Sequence, residues 1–323
     1  MKIAIFGGSG SLGSALIRRL LADRLAEKIV IFSRDEHRQD RLAEALGHPP
    51  EAKWMLGDVR DRDRVDEALA RVDTVVHAAA IKHVDLVGSN PEEIFKTNFT
   101  GTLHVVNCAV KRNVRRVLVI SSDKACGQTA YGLSKAAAEA QTIWANTLGQ
   151  PQGKYACVRW GNVLGSRGSV VPLWRRQRDR GEPLTLTDEQ MTRFWITMDE
   201  AVGFTLRALE TMRGGEIMVP PTASMRLVDL AEALAPGHPI KVTGMRPGGE
   251  RLHETLITED EVGRTVVVPG LGYVIEPALS GWPRSPWAGT PWGGGAYRSD
   301  TNPDWWTVNA MRTALKDVCG DAL

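Results

Sequence analysis

Ser122, Asp123, Lys124, Tyr131 and Lys135 fall within one short stretch, ISSDKACGQTAYGLSK, Ile120 to Lys135. The Tyr131-x-x-x-Lys135 spacing sets phenol and amine one helical turn apart on the same face. A nearby positive charge lowers a phenol's pKa. Tyr131 is thus a candidate base that takes an alcohol proton as hydride leaves the carbon. Ser122 is placed to hold the same hydroxyl. Plain alcohol oxidation needs no further acid–base pair, yet Asp123 and Lys124 follow the serine directly. Elimination of water needs such a pair: a base for a proton beside a carbonyl and an acid for the leaving oxygen. Taken alone, Tyr-x-x-x-Lys is a common spacing, and Tyr131 could equally be a core aromatic.

The elements on either side decide between those readings. Lys2 to Phe6 reads as a buried strand, and Ala15 to Leu25 as an apolar-periodic helix. Between them, Gly7-x-x-Gly10-x-x-Gly13 encloses Ser11 and Leu12, the strand–turn–helix context of a dinucleotide fingerprint. Gly7 and Gly10 allow a tight turn under a pyrophosphate, and Gly13 allows close helix–strand contact. A second strand, Lys28 to Phe32, ends in Ser33-Arg34, with Arg38 one turn on. Guanidinium groups there suit a ribose 2′-phosphate, which favours NADP over NAD, although Asp35 and Glu36 follow closely. Asp58, with Val59, closes a third strand and is a candidate acceptor for the adenine amine, or the N-cap of a helix from Arg60 to Ala70. Thr74 to His77 forms a fourth strand. Ala78, Ala79 and Ala80 after it leave room for a flat ligand, and Lys82 follows in an active-site loop. His83 beside it reads as structural.

Strands alternating with helices predict a Rossmann-type, doubly wound parallel sheet covered on both faces, with a smaller substrate-binding lobe. Residues 1–160 are assigned to the cofactor domain. Val158 to Asn162 reads as a further strand, and residues 161–323 are mainly the substrate lobe, with some elements returning to the sheet. At 323 residues and a formal net charge of +2, the chain gives no reason to expect a nucleic acid or an anionic membrane as partner. No apolar run approaches the roughly 20 residues that span a bilayer, and no signal peptide is recognisable. Cys108, Cys126, Cys157 and Cys319 lack paired spacing, so reduced thiols and a cytoplasmic location are expected. No cluster of metal ligands is apparent.

The glycine turn, Ser122 and Tyr131-x-x-x-Lys135 together resemble the extended short-chain dehydrogenase/reductase superfamily. Five further segments, SSDKA, AAAIKHV with NPEEIFKTNFTGT, RWGNVLGSRGSVVPLW, TDEQMTRFWIT and SDTNPDWWTV, narrow the resemblance. They are similar to the C5-inverting UDP-N-acetylglucosamine 4,6-dehydratases over nearly the whole chain. That resemblance implies a UDP-sugar substrate, a homo-oligomer, and oxidation at C4 by Ser122, Tyr131 and Lys135. Lys124 would be the C5 base, kept neutral by burial or a positive neighbour, and Asp123 the acid for O6. Lys82, Asn162, the stretch around Val170, and Thr187 are implied in substrate binding, and Arg193 and Arg246 in clamping pyrophosphate. Either arginine could instead be a structural ion pair. The link CGQTA is about one residue shorter than the family's loop and lacks its proline. A 4-epimerase with the same Ser, Tyr and Lys, or a cofactor-sensing protein without chemistry, leaves Asp123 and Lys124 unexplained.

Overall fold

The computed structural model describes residues 1–82, 90–148, 153–245, 250–279 and 287–319. Its centre is six parallel strands: β1 (Lys2–Phe6), β2 (Lys28–Ser33), β3 (Ala52–Leu56), β4 (Thr74–His77), β5 (Arg116–Ile120) and β6 (Lys154–Val158). They lie in the order β6-β5-β4-β1-β2-β3, so the chain switches direction of winding between β1 and β4. The crevice beyond the carboxyl ends of those two strands is where such sheets take ligands. Strands Ile217–Val219, Gly272–Ile275, Thr265–Val268 and Thr290–Pro291 extend the sheet past β6, and all come from the second half of the chain.

Apolar runs explain the burial of the central strands, since a parallel sheet is covered on both faces. Ile3, Ile5, Ile29 and Ile31 face Leu16, Ile17 and Leu20 of the helix Ser11–Ala22. Phe6, Phe32, Val75 and Val117 face the helix Gly101–Lys111 through Val105 and Val106. A third core, around Trp174, Leu186, Trp195, Leu230 and Met311, belongs to the smaller lobe.

Two boundaries differ from the sequence reading. The helix after β3 runs Arg62–Ala68, and Asp61, not Asp58, accepts the capping bond from the Arg64 N–H at 3.0 Å. A strand from Val158 to Asn162 does not form. β6 ends at Val158, and Asn162–Val163 pairs instead with Thr192–Ile196 in a separate three-stranded sheet. Just past β6 the Arg159 N–H still donates to Met218 O at 2.9 Å, and its side chain turns into the interior. Its Nε and Nη2 donate to Glu139 at 3.0 and 2.6 Å, and its Nη1 and Nη2 donate to Glu261 at 2.8 and 3.0 Å. At Gly161 a Cβ would lie 2.5 Å from the Cβ of Phe194, so only glycine lets the two segments approach there.

Arg159→Met would leave two buried carboxylates without their cation, a loss of about 3–5 kcal/mol. Burial alone would raise the Glu261 carboxyl, but hydrogen bonds and charge from Arg159 outweigh it and hold it below the usual range. Its contribution is therefore present above the unfolded carboxyl pKa and lost as pH falls through the lower folded value. Urea unfolding of both proteins should show a large deficit for the variant at neutral pH that narrows in acid.

Candidate active site

The glycine turn builds one wall of the crevice. The Gly7 N–H donates to Phe32 O at 2.8 Å, and the Gly10 N–H to Gly7 O at 2.8 Å. Gly7 has φ +84°, and a Cβ on Gly13 would lie 2.4 Å from Gly7 O, so side chains are excluded at both positions. A cavity of about 960 Å³ begins here, lined by Gly7, Gly10, Ser11, Leu12 and Gly13. Arg34 and Arg38 edge it at one end. Ser122, Asp123, Lys124, Tyr131 and Lys135 stand at the other. Ser33, Val59 and the three alanines 78–80 line an adjoining cavity of about 620 Å³. A shaped groove closed by backbone at Gly7 and Gly13 and edged by arginines fits a dinucleotide.

Arg34 and Arg38 already have acidic neighbours. Arg38 Nε is 2.9 Å from Asp35, and Arg34 Nη1 is 3.5 Å from Asp58. Asp58 also pairs with Arg60 at 2.7 Å. Burial alone would raise its carboxyl, but Arg60's hydrogen bonds and the charges of Arg34 and Arg60 outweigh that and hold it low.

The catalytic stretch leaves β5 and is pinned to the β6 side, where Ser121 N–H donates to Val158 O at 2.7 Å and Asp123 N–H to Trp160 O at 3.0 Å. A 3₁₀ turn, Asp123–Cys126, leads to the helix Ala130–Trp144, capped by Thr129 Oγ1 accepting from Gly132 N–H at 2.9 Å. A Cβ on Gly132 would lie 2.2 Å from Lys124 O. The missing side chain is thus what lets the turn sit against the helix. The short CGQTA link closes without distortion, since Gly127 N–H bonds Lys124 O at 2.9 Å.

The site gathers a dense set of contacts. Ser122 Oγ donates to Asp123 Oδ1 at 2.7 Å. Lys124 Nζ lies 3.1 Å from both Asp123 oxygens and 2.8 Å from Glu254 Oε1. The described groups that touch this amine are two carboxylates, not the positive charge expected around a neutral base. Burial raises the Asp123 carboxyl, against the pull of Lys124 and with the help of Glu254's negative charge. A raised carboxyl suits an acid.

Lys135 differs from expectation too. Its ammonium donates to Ile120 O at 2.5 Å, and burial pulls its pKa down. Tyr131 is pushed up to about 12, by burial first and then by Asp123, with a bond to Ser122 opposing. The phenol is thus held up mainly by burial, and the lowering expected from Lys135 is not among its causes.

The residues assigned to substrate divide. Lys82 and Asn162 line the main cavity, and Lys82 Nζ is 3.4 Å from Ser166 Oγ. Val170 opens the helix Val170–Asp179 and lies against the third core. Thr187 Oγ1 donates to Glu250 at 3.3 Å. Arg193 is 4 % exposed and turned away from the cavity. Its Nη1 donates to Thr192 O at 2.7 Å and Leu252 O at 3.0 Å, its Nη2 to Arg251 O at 3.0 Å. The planar fork satisfies buried carbonyls and pairs with Glu250 at 3.4 Å and Glu254 at 3.6 Å, in line with the structural ion pair given as the alternative to a pyrophosphate clamp. Arg246 and His83 lie outside the described residues.

Four contributors escaped the sequence reading. Glu254 and Arg251 close the site from behind; the only sequence cue is an acid directly before the apolar strand Thr255–Ile257. Arg167 Nη2 donates to Ser9 O at 2.5 Å, tying the GSRGS loop to the glycine turn. Asn98 clasps both backbone groups of Ile81, at 2.8 and 3.0 Å, and so sets the Lys82 loop. Cys126 is no nucleophile: burial pushes its thiol up to about 12 against the pull of Arg159.

The Rossmann sheet, with Ser122, Tyr131 and Lys135 beyond its strand ends, defines an extended short-chain dehydrogenase/reductase. Residues 3–274 match the family described as polysaccharide biosynthesis protein, and the chain belongs to that family. It is similar to a UDP-N-acetylglucosamine 4,6-dehydratase (inverting) of Campylobacter jejuni, 40% identical over 281 residues, covering 86% of this chain and 83% of the relative. A UDP-glucose 4-epimerase of Rickettsia typhi is 37% identical over 271 residues, 81% of this chain and 79% of that one. Among solved structures, Pen from Bacillus thuringiensis superposes with a TM-score of 0.89 at 30% identity, covering 98% of each chain.

Gly132→Ala must displace the Lys124 carbonyl. The expected result is about 1–3 kcal/mol lower stability and roughly 100-fold lower turnover from a misplaced Lys124. Thermal unfolding and single-turnover assays would check both, and wild-type behaviour would refute the tight turn.

Proposed function

We propose that the chain is an NADP-dependent, C5-inverting UDP-N-acetylglucosamine 4,6-dehydratase. The observation that carries the reading is the acid–base pair beside the oxidation set: Asp123 and Lys124 at one end of the cavity that the glycine turn opens. The groove would hold the dinucleotide along Gly7 to Gly13, with Arg34 and Arg38 near a 2′-phosphate. Bound there, the nicotinamide supplies hydride acceptance and return. The chain's own residues manage protons and orientation. Tyr131 takes the O4 proton once a nearby positive charge offsets the burial that holds its phenol at about 12 here, with Ser122 beside it as orienting hydroxyl. Lys124 takes the proton at C5, made acidic by the neighbouring ketone, and Asp123 delivers a proton to the departing O6. Reprotonation of C5 from the opposite face gives the inverted 4-keto-6-deoxy sugar.

The raised Asp123 carboxyl supports its part, since an acid must still carry its proton at working pH. Similarity to the Campylobacter relative along 86% of the chain supports the substrate class. The Rickettsia relative keeps 4-epimerisation as the competing reading. An epimerase has no use for Asp123 as an acid, whereas the pair is built into the turn. A cytoplasmic homo-oligomer remains part of the proposal. Among the described residues no helix is long and apolar enough to cross a membrane, and no group of side chains is set to hold a metal ion.

Incubation with UDP-N-acetylglucosamine in deuterated water, read by mass and proton NMR, tests the reading. Loss of water with deuterium at C5 is expected, and a mass-neutral C4 epimer would refute it. Two variants separate the roles. Lys124→Ala should abolish both C5 exchange and dehydration while the dinucleotide still binds. Asp123→Asn should lower dehydration by about 10²–10⁴-fold yet retain C5 exchange. Equal loss of both signals in Asp123→Asn would make Asp123 part of the base instead.

A further inference from the structure

Glu254 is a carboxylate with no place in the steps above. It is 1 % exposed, and it is not among the residues lining the cavity. Its Oε1 lies 2.8 Å from Lys124 Nζ and 3.6 Å from Arg193 Nε. Its Oε2 accepts from Arg251 Nη2 at 2.7 Å. The backbone is held as firmly: Glu254 N–H donates to Ser299 Oγ at 2.8 Å, and Ser299 N–H donates to Glu254 O at 2.9 Å. Arg251 in turn reaches the catalytic turn itself, donating to Asp123 O and Cys126 O at 3.0 Å each. A buried carboxylate is tolerated only when paired, and this one is aimed at Lys124, one of the amines that line the cavity.

Resting on the dehydratase reading, we propose that Glu254 is the positioning residue of the elimination step. It holds the Lys124 amine between itself and Asp123, and it is the counter-ion for the ammonium formed as that amine takes the C5 proton. In that step the C5–H bond breaks and an N–H bond forms on Lys124. The electron pair left behind becomes the C5–C6 π bond. The C6–O bond breaks, and its pair leaves on O6, which takes the Asp123 proton and departs as water. Lys124 ends positive and Asp123 negative, 3.1 Å apart, so passage of one proton restores both.

The second carboxylate resolves a conflict. An ammonium bonded only to Asp123 would drive the proton off the acid the reaction needs. Glu254 takes over part of that ion pair. The groups facing Asp123 are Lys124 on its own turn, Tyr131 on the following helix, Glu254 and Arg251 from behind, and Cys126 at the end of the turn. Burial would raise Glu254, but Lys124, Arg193 and Arg251 outweigh it and keep it ionised. Its charge helps to keep Asp123 protonated. The two carboxyls are thus separated into an acid and a permanent anion.

Glu254→Gln, assayed with UDP-N-acetylglucosamine on the dinucleotide-loaded protein, is the test. We expect kcat to fall about 100-fold with KM within about two-fold, and C5 deuterium exchange to fall in step. The alkaline limb of kcat should move to lower pH, because loss of the negative neighbour lowers the Asp123 pKa and its proton is lost earlier. A purely structural role would leave that limb in place. Glu254→Asp, which keeps the charge at shorter reach, should lower kcat while leaving the limb near its wild-type position; it supplies the answer if the glutamine variant does not fold. Turnover within two-fold of wild type and an unmoved limb in either folded variant would overturn the assignment. Wild-type protein that neither loses water nor exchanges C5 would overturn the dehydratase reading, and this one with it.

Discussion

The proposed elimination depends on how one amine, that of Lys124, is shared between two buried carboxylates. Asp123 is its neighbour in sequence, and Glu254 comes from just before a strand far along the chain, yet their oxygens lie 3.1 and 2.8 Å from the same Nζ. Burial makes each charge costly alone, so the cluster stands or falls together. Arg193 and Arg251 bind Glu254 from behind, and Arg251 also holds the carbonyls of Asp123 and Cys126. Electrostatics and turn geometry are therefore not separable here. The residues that balance the charges also hold the backbone of the turn.

That balance needs a rigid frame. The 3₁₀ turn sits between β5 and the helix Ala130–Trp144, so close to the helix that Gly132 cannot carry a side chain. From the other side, Arg159 ties the chain leaving β6 to Glu139 on that same helix and to Glu261 near the strand Thr255–Ile257. Two buried ion networks thus bracket the catalytic turn. Arg159 also approaches Cys126 Sγ at 3.3 Å, so the networks meet at the end of the turn. Substrate-side and cofactor-side elements are linked separately, through Arg167 on the glycine turn and Lys82 at Ser166.

Local chemistry was legible in the residue order. Gly7, Gly10 and Gly13 stand between a strand and a helix, and only backbone can occupy the space that a Cβ at Gly7 or Gly13 would fill. The apolar runs of β1, β2, β4 and β5 mark strands buried on both faces. Ser122, Asp123, Lys124, Tyr131 and Lys135 share a stretch short enough that their proximity follows from spacing alone. Each of these is a short-range property, set by bond geometry, helical pitch or strand alternation.

What sequence could not settle was the partner of each charge. Arg193, read as a phosphate clamp, is enclosed by the carbonyls of Thr192, Arg251 and Leu252. Arg159, read as part of a strand, lies just past the end of β6 and reaches two distant glutamates. Glu254 gave almost no signal, although it touches the amine at the centre of the chemistry. Its place depends on the strand Thr255–Ile257 lying against the catalytic turn and on Ser299 pinning its backbone. By itself the sequence determined which groups could react and what lies one turn from them, because those distances are covalent and helical. Only the tertiary structure decided which charges meet across the lobes, because a long-range ion pair is selected by burial and close approach of the whole fold.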